Sequence, residues 1–276
     1  MHEVTFRGDG FELPLVQSEV IPADFRHGFT TRRGGVSEGV YASLNLGSRW
    51  GDAPANLVEN RRRFSAAAGS EAIHFASQVH GRAIASVSAG DDPAVTARSQ
   101  ADAVVTAAAD TWVGVYVADC VPMLIADART GACAAVHGGW RGSVAGVLGA
   151  TLAHLVQAYG ARPGDLRVAI GPSIGPCCFE VGPEVVEAVE ALDPGARAEG
   201  VIVSRTPREH VDLWLLNQRQ ALSFGVPAAG IDVARMCTSC DSARFYSYRR
   251  DGKAGQKTGQ MAAFIAHRSG APTTAP

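Results

Sequence analysis

Short apolar runs bounded by glycine, proline and small polar residues recur along the whole chain. Runs of this kind, several of them rich in valine and isoleucine, are typical of buried β-strands. The first two predicted strands should form an opening pair. The predicted strands are 11–16, 19–21, 73–79, 83–87, 101–106, 112–117, 123–126, 132–137, 166–170, 245–248 and 261–266.

Four longer stretches repeat apolar residues at a spacing of about 3.6, which predicts amphipathic α-helices. Gly69 and Gly160 stand where a left-handed C-cap belongs, and Asp212 stands where an N-cap belongs. A proline opens two of the helices, which suits the first helical turn. The predicted helices are 54–68, 143–159, 183–192 and 212–224.

Strands and helices are mixed without strict alternation, and no linker rich in proline or serine divides the chain. This order favours an α/β (α+β) layered sandwich, with mixed sheets and flanking helices, over a doubly wound fold. We predict a single domain over residues 1–268 and a disordered tail, SGAPTTAP, over 269–276. The loop 27–47 contains five glycines and is predicted to be a lid or binding loop.

The charge balance excludes several classes of partner. The chain has 276 residues, is 46% hydrophobic and carries a formal net charge of −2, so we expect neither nucleic acid nor a membrane as a partner. Residues 1–14 lack the apolar core of a signal peptide. We therefore expect a cytoplasmic protein whose six cysteines are thiols or ligands rather than disulfides. No pattern in the sequence predicts an oligomeric state.

Three apolar runs end at a residue that binds metals well: His80 in QVHG, Cys120 in ADC and His137 in AAVHGGWRG. A catalytic zinc ion usually has three protein ligands and keeps a fourth position for water or substrate. Two imidazoles and a soft thiolate meet that requirement. We therefore predict Zn²⁺ bound by these three residues, with copper as a less favoured occupant although it outcompetes zinc at most such sites.

Ten segments between residues 27 and 252 resemble one known family, and they occur in this order: HGFTTRRGGVS, SLNLG, QVHG, ADAVVT, ADCVPMLIAD, AAVHGGWRG, IGPSIGPCCFEVG, DLWLLNQRQAL, CTSC and FYSYRRDG. It is the polyphenol oxidase or laccase-domain family, whose members are now described as zinc-dependent purine nucleoside phosphorylases with adenosine deaminase activity. The resemblance implies a single-domain α/β sandwich, His80, Cys120 and His137 as metal ligands, and a purine nucleoside and phosphate as substrates. One motif departs, because the family's late TGR is Thr258-Gly259-Gln260 here.

Phosphorolysis requires phosphate to be held against ribose C1′, and arginine forks or backbone N–H groups suit that anion. Arg141 is the first candidate because it stands at a predicted helix start. Deamination requires a carboxylate that carries a proton, and Asp119, beside Cys120, is the candidate, with Glu180 as an alternative. The zinc deaminase signature H-x-E…P-C-x-x-C is absent from the sequence. The full set of substrate-binding candidates is Arg141, Arg61, Arg32 and Asn45.

Three other functions fit parts of the pattern. A zinc hydrolase acting on peptidoglycan precursors, to which some bacterial members of the family are linked, would use the same metal-bound water. A copper polyphenol oxidase would need a histidine-rich multinuclear cluster, and eight histidines without an H-x-H pair fall short of one. A non-enzymatic zinc-binding protein would close the site with a fourth ligand.

Cys237 and Cys240 form a C-x-x-C motif, which is typical of half a zinc site or of a redox pair. No second C-x-x-C and no spaced histidine pair completes it in the sequence, so we expect a structural or incidental role. The adjacent Cys177 and Cys178 are expected to be small buried residues rather than a bridge.

Overall fold

The computed structural model describes residues 1–252 and 257–270. Within these ranges the chain forms fourteen strands: β1 His2–Gly8, β2 Phe11–Gln17, β3 Phe25–Thr30, β4 Ile73–Phe75, β5 Ile84–Ser86, β6 Ala103–Thr106, β7 Trp112–Val117, β8 Val121–Ala126, β9 Cys133–Gly138, β10 Arg167–Ile170, β11 Ile202–Val203, β12 His210–Val211, β13 Ile231–Val233 and β14 Met261–His267. The same ranges hold six α-helices: α1 Pro54–Ala68, α2 Pro93–Thr96, α3 Trp140–Val144, α4 Val147–Tyr159, α5 Pro183–Leu192 and α6 Leu213–Phe224.

Twelve of these strands form two six-stranded sheets. The first sheet has the order β1-β2-β3-β14-β7-β4, and the second has the order β13-β10-β8-β9-β6-β5. Both are mixed, because β4 runs parallel to β7, β5 to β6 and β13 to β10, whereas the other neighbours are antiparallel. The short β11 and β12 form a separate antiparallel pair.

The two sheets stack face to face because alternate residues of a strand point to opposite sides. In β9, Cys133 and Ala135 belong to the core between the sheets, whereas Ala134 and Val136 belong to the core on the outer face of the second sheet. Strands β8, β10 and β14 divide their residues in the same way. Both faces of these strands are therefore buried, which explains their unbroken apolar runs.

Helices cover both outer faces. Helices α4, α5 and α6 pack on the second sheet and share a core that includes Leu152, Val189 and Leu216. Helix α1 packs on the first sheet, where the ring of Phe64 lies edge-on to Phe264 with 5.4 Å between centroids. The result is a four-layer sandwich, and the predicted layered α/β fold with mixed sheets and flanking helices in a single domain is confirmed. No helix in the described part of the chain is long and apolar enough to cross a membrane.

The predicted opening strand pair is wrong in its second member. Residues 19–21 form a turn and a bend, and the partner that β2 gains is β1, which pairs with it across the Asp9-Gly10 turn. An Asp-Gly pair between two alternating segments is a strong hairpin signal. That signal marks β1 in the sequence. Of the tail predicted over 269–276, Ser269 and Gly270 form a turn, and residues 271–276 lie outside the described residues.

Other predicted elements also differ from the structure. The loop predicted over 27–47 begins inside β3 and contains a 3₁₀ turn at Gly39–Tyr41, and the strand predicted over 73–79 ends at Phe75. The helix predicted over 143–159 is divided into α3 and α4, because Gly146 adopts the left-handed conformation with φ of +78°. The strand predicted over 245–248 is absent from the described chain. The backbone N–H of Arg249 is donated to the carboxylate of Asp119 at 2.6 Å rather than to a neighbouring strand, and Tyr248–Gly252 forms a π-helical turn.

Leu124 and Leu222 provide a matched test of the core between the sheets. Leu124 is fully buried in β8, whereas Leu222 is 41% exposed on α6. We expect Leu124→Ala to lower the free energy of unfolding by about 2–5 kcal/mol, because it removes buried surface and leaves a cavity. Leu222→Ala should change it by less than about 1 kcal/mol. Urea unfolding followed by circular dichroism measures both, and equal losses would contradict the assignment of Leu124 to this core.

Candidate metal and substrate site

Two connections that pass between the sheets and the end of strand β9 meet at one edge of the sandwich. The segment 76–83 leaves β4 of the first sheet and reaches β5 of the second, and it carries His80. The turn 118–120 leaves β7 of the first sheet and enters β8 of the second, and it carries Cys120. Pro122 of β8 pairs with His137 of β9. That register brings the Cys120 turn beside the end of β9.

The three predicted ligands lie together. One ligand atom from each of His80, Cys120 and His137 lies within 4.8 Å of the other two. The Cys120 Sγ is 3.9 Å from His80 Nε2, and the two imidazole rings are edge-on with 4.9 Å between centroids. Gly139 permits this approach, because a Cβ there would lie 2.8 Å from His80 Cδ2 and 3.2 Å from Cys120 Sγ. The second glycine of VHGG is therefore a packing requirement of the site.

The site is strongly polarised. Burial alone would raise the pKa of the Cys120 thiol, but the neighbouring His137 and His80 rings lower that pKa to about 6. Burial would likewise lower the pKa of His137, yet the Cys120 thiolate and the carboxylate of Asp102 raise that pKa to about 9. The cluster therefore presents a thiolate at neutral pH, and a thiolate is the form of cysteine that binds metals.

Asp102 is the residue that the sequence analysis missed. It precedes β6 and is fully buried, and its Oδ1 lies 2.8 Å from His137 Nδ1. Burial opposes its ionisation, but the hydrogen bond from His137 and those from backbone N–H groups lower the pKa of the carboxyl below its usual value. Because Asp102 engages Nδ1, Nε2 of His137 is left to bind an ion, an arrangement common among metal-binding histidines. The sequence does carry a signal for this residue, because Asp102 is an acid in the ADAVVT motif placed directly before a buried strand.

The same carboxylate holds the turn that carries His80. Asp102 accepts the backbone N–H of His80 at 2.9 Å, of Gly81 at 2.7 Å and of Val79 at 3.3 Å. His80 has a φ of +62°, a conformation that costs energy in a residue other than glycine. Gln78 fixes the other side of the turn, because its amide donates to the carbonyl of Tyr116 and accepts the N–H of Tyr116, both at 2.8 Å.

The donor set fits a catalytic metal ion. Within residues 1–252 and 257–270, no fourth His, Cys, Asp or Glu atom joins the group of His80, Cys120 and His137. Three protein ligands with an open fourth position are typical of catalytic zinc, and structural zinc is normally closed by four. His137 is buried, Cys120 is partly buried and His80 is exposed, so solvent reaches the group from the side of His80.

A cavity of about 780 Å³ opens onto the three ligands. Its walls carry two arginines, Arg49 and Arg61, and the rings of Trp50 and Tyr248, which stack at 6.1 Å between centroids with 19° between their planes. Gln260 lines the same cavity, so the position where the family's TGR motif carries arginine bears a neutral amide here. The cavity thus combines positive charge, aromatic faces and the candidate metal site.

The four predicted substrate residues have different placements. Arg61 lines the cavity, and its guanidinium donates to the carbonyl of Leu46 at 3.2 and 3.3 Å. Asn45 is buried behind the wall, where its amide oxygen accepts the backbone N–H of Gln260 at 2.9 Å. Neither Arg32 nor Arg141 is among the residues that line the cavity.

The two arginines that do not line the cavity are held elsewhere. The guanidinium of Arg32 lies 4.5 Å from the centroid of the Tyr246 ring and donates to the carbonyl of Ala42 at 2.6 Å. Arg141 is exposed on α3 and stacks over the ring of its neighbour Trp140 at 4.3 Å. The predicted phosphate role of Arg141 therefore has no support from the shape of this cavity.

Asp119 lies behind Cys120. Its Oδ1 accepts the hydroxyl of Thr238 at 2.6 Å, and its Oδ2 accepts the hydroxyl of Ser247 at 3.0 Å and the N–H of Arg249 at 2.6 Å. Burial raises the pKa of this carboxyl, while the hydrogen bonds oppose the shift. Both oxygens are therefore engaged by groups that fix the position of the Cys120 turn.

A second cluster unites four other cysteines. The sulfurs of Cys177, Cys178, Cys237 and Cys240 all lie within 4.8 Å of one another. The C-x-x-C motif has neither a second C-x-x-C nor a spaced histidine pair as its partner in the sequence. The adjacent pair Cys177-Cys178 lies beside it instead. The prediction that these two cysteines are buried is wrong, because Cys177 is exposed and Cys178 is only partly buried.

Asp102→Asn tests the role of the buried carboxylate. An asparagine has one acceptor oxygen, so it cannot hold the His137 ring and all three N–H groups of the 79–81 turn. We expect the variant to fold and to bind zinc about 10- to 100-fold more weakly, as is typical when the partner of a metal-bound histidine is removed. Competition with a chromophoric chelator measures the affinity. Asp127→Asn is the control, since Asp127 is equally buried but caps the turn between β8 and β9; equal losses in both variants would contradict the role of Asp102.

The chain matches known proteins over most of its length. The model of the family described as multi-copper polyphenol oxidoreductase laccase matches residues 26–268. YlmD of Geobacillus stearothermophilus, named a purine nucleoside phosphorylase, is 38% identical in an alignment of 255 positions that covers 87% of this chain and 89% of the relative. A purine nucleoside phosphorylase of Deinococcus radiodurans is 39% identical over 255 residues, which are 92% of each chain.

A solved structure agrees with these matches. The crystal structure of YlmD from Geobacillus stearothermophilus superposes with a TM-score of 0.84 at 34% sequence identity, and it covers 95% of this chain and 98% of that chain. The resemblance inferred from the ten motifs is thus confirmed. The chain belongs to the family described as multi-copper polyphenol oxidoreductase laccases.

Proposed function

We propose that the protein is a zinc-dependent purine nucleoside phosphorylase, acting on nucleosides of the adenosine, inosine, guanosine and methylthioadenosine class, with adenosine deaminase activity as a second reaction. The observation that carries the proposal is the three-ligand site, with an open fourth position, on a cavity lined by arginine and stacked aromatic rings. The names of the relatives in Geobacillus stearothermophilus and Deinococcus radiodurans support the same reaction class.

His80, Cys120 and His137 would hold the metal ion. When bound, zinc supplies a Lewis acid that lowers the pKa of a coordinated water toward about 7. The protein itself orients the ligands through Asp102 and through the crossing of the chain between the sheets. A water of lowered pKa in the same cavity would also serve the proposed deamination.

The cavity wall supplies groups that suit both substrates of a phosphorolysis, the phosphate and the purine nucleoside. Arg61 and Arg49 bring positive charge, and an arginine binds phosphate through two parallel hydrogen bonds. We assign them the phosphate role that an arginine at position 260 would otherwise take. The faces of Trp50 and Tyr248 suit the apolar, planar purine.

The predicted proton transfer by Asp119 remains a prediction. Three hydrogen bonds to its carboxylate support instead a positioning role, in which Asp119 holds the turn that carries Cys120.

The family description raises an oxidase as a second candidate. A multicopper oxidase needs a blue-copper site together with a histidine-rich multinuclear cluster. The residues described here contain two groups of three or more metal-binding side chains, and one of those is made of cysteine alone. This donor set favours the phosphorylase, and a phenol added as a third substrate in the assay below tests the oxidase directly.

Removal of any one predicted ligand tests the proposal. We expect His80→Ala, Cys120→Ala and His137→Ala to abolish release of the purine base and ribose 1-phosphate from inosine and phosphate while the protein stays folded. The reason is that two donors do not hold a catalytic zinc ion tightly. Chromatography of the products and metal content, measured on one preparation, provide the readout.

His154→Ala and Cys133→Ala are matched controls, because neither residue belongs to the His80 group. Adenosine without phosphate should yield inosine and ammonia in the wild type, which tests the second activity. A UDP-muramoyl-amino-acid in a parallel reaction tests the hydrolase alternative. Turnover of nucleosides by a folded, metal-free ligand variant would overturn the proposal.

Arg61→Gln tests phosphate binding. Loss of a charged hydrogen bond costs about 1.5–3 kcal/mol, so the apparent KM for phosphate should rise about 10- to 100-fold with a smaller change in the KM for inosine. Arg62→Gln is the control, because the neighbouring Arg62 pairs with Glu59 at 2.7 Å and is absent from the cavity wall. Arg141→Ala, measured in the same series, decides the sequence-based prediction for Arg141. Unchanged phosphate dependence in Arg61→Gln would exclude Arg61 from the site.

A further inference from the structure

We propose that Cys177, Cys178, Cys237 and Cys240 form a second metal site, a closed tetrathiolate zinc centre that serves structure rather than catalysis. The four thiols share no residue with the His80 group. The proposal is independent of the reaction proposed above.

The positions of the sulfurs suit a tetrahedral ion. Zinc lies about 2.3 Å from a thiolate sulfur, so the four sulfurs around one ion are about 3.8 Å apart. The Sγ of Cys240 is 3.4 Å from the Sγ of Cys177 and 3.4 Å from that of Cys178, and all four sulfurs lie within 4.8 Å. The two 3.4 Å separations lie slightly below the tetrahedral value, and no separation within the cluster exceeds 4.8 Å.

A backbone turn brings the thiols of Cys177 and Cys178 close together. Cys178 and Phe179 both donate their N–H groups to the carbonyl of Gly175, at 3.0 and 2.9 Å. The tight turn that results directs the Cys177 and Cys178 thiols to the same side, where each approaches Cys240. This is how two consecutive cysteines replace a second C-x-x-C.

The C-x-x-C segment is docked against that turn. The N–H of Thr238 is donated to the carbonyl of Ser173 at 3.0 Å, and the N–H of Gly175 is directed at the Sγ of Cys237 at 3.3 Å. A backbone N–H aimed at sulfur stabilises a thiolate, as ligand-orienting hydrogen bonds do around other metal ions. This hydrogen bond therefore favours the thiolate form of Cys237.

Two arginines lie where they offset the charge of four thiolates around one divalent ion. Arg249 donates to the carbonyl of Cys178 at 3.3 Å and to that of Glu180 at 2.7 Å. Arg250 donates to the carbonyls of Thr238 at 2.8 Å and Ser239 at 3.1 Å, inside the C-x-x-C motif. Arg250 also pairs with Asp251 at 2.6 Å, which offsets part of its charge, so Arg249 contributes the larger share of positive charge beside the cluster.

The cluster can receive an ion from solvent and can influence the first site. Cys177 and Cys240 are exposed, Cys178 is partly buried and Cys237 is buried. Thr238, between the two cysteines of the motif, donates to Asp119, which precedes Cys120. An ion that fixes the C-x-x-C segment therefore also fixes the support of the Cys120 turn.

Metal stoichiometry tests the proposal. Full-length protein, purified under reducing conditions with zinc present and then freed of loose ions, should contain two zinc ions per chain by mass spectrometry of the metal. The double variant Cys177→Ser/Cys240→Ser should contain one, Cys120→Ser should contain one, and Cys133→Ala, which alters a cysteine outside both clusters, should contain two. Zinc content that does not fall by one ion per chain from the wild type to the double variant would overturn the proposal, whatever the occupancy of the His80 group.

A spectroscopic measurement keeps the test independent of how well the double variant folds. Cys120→Ser protein retains only the proposed second ion, and X-ray absorption at the zinc edge should show four sulfur neighbours at about 2.3 Å. A shell containing nitrogen or oxygen would contradict a tetrathiolate centre. A disulfide joining Cys240 to Cys177 or Cys178 in freshly purified, metal-replete protein, detected by mass spectrometry of peptides, would also overturn it.

Discussion

The hydrogen bonds to the buried carboxylate of Asp102 are the constraint on which the candidate active site depends. A carboxylate removed from water must have its acceptor positions occupied. Here its partners are the His137 ring and the N–H groups of the turn that carries His80. The hydrogen bonds that satisfy this one buried charge therefore also fix the positions of two candidate metal ligands, His80 and His137.

The sandwich makes such a site possible at its edge. Strand residues inside the two sheets must alternate between cores, so a strand contributes to the site only near its end, as β9 does with His137. The connections that pass from the first sheet to the second are free of the pleat, and they supply His80 and Cys120. Asp119 then ties the Cys120 turn to Thr238 and so joins the two thiol-containing clusters through one carboxylate.

Much of the fold is readable from local patterns. Apolar runs bounded by turn residues marked most strands, and a 3.6-residue period with glycine caps marked the helices, because these signals depend only on nearby residues. Helices α1 and α5 have the predicted bounds. The errors arose where a local pattern was compatible with two different backbone structures. The apolar spacing of 143–159 continues past Gly146, but the backbone does not. Residues 245–248 have the composition of a strand, yet the N–H of Phe245 is donated to the carbonyl of Asp241 and the hydroxyl of Ser247 to the carboxylate of Asp119.

The sequence by itself determined the layered class, the family and the three candidate ligands, because each of these is marked by residues adjacent in the chain. Only the tertiary structure decided that Asp102 supports His137, that Arg61 rather than Arg141 faces the cavity, and that Cys177 and Cys178 meet Cys240. These contacts join residues that are distant in the chain, and they follow from strand register and from where each connection crosses between the sheets. The order of residues along the chain does not by itself show which distant residues come into contact.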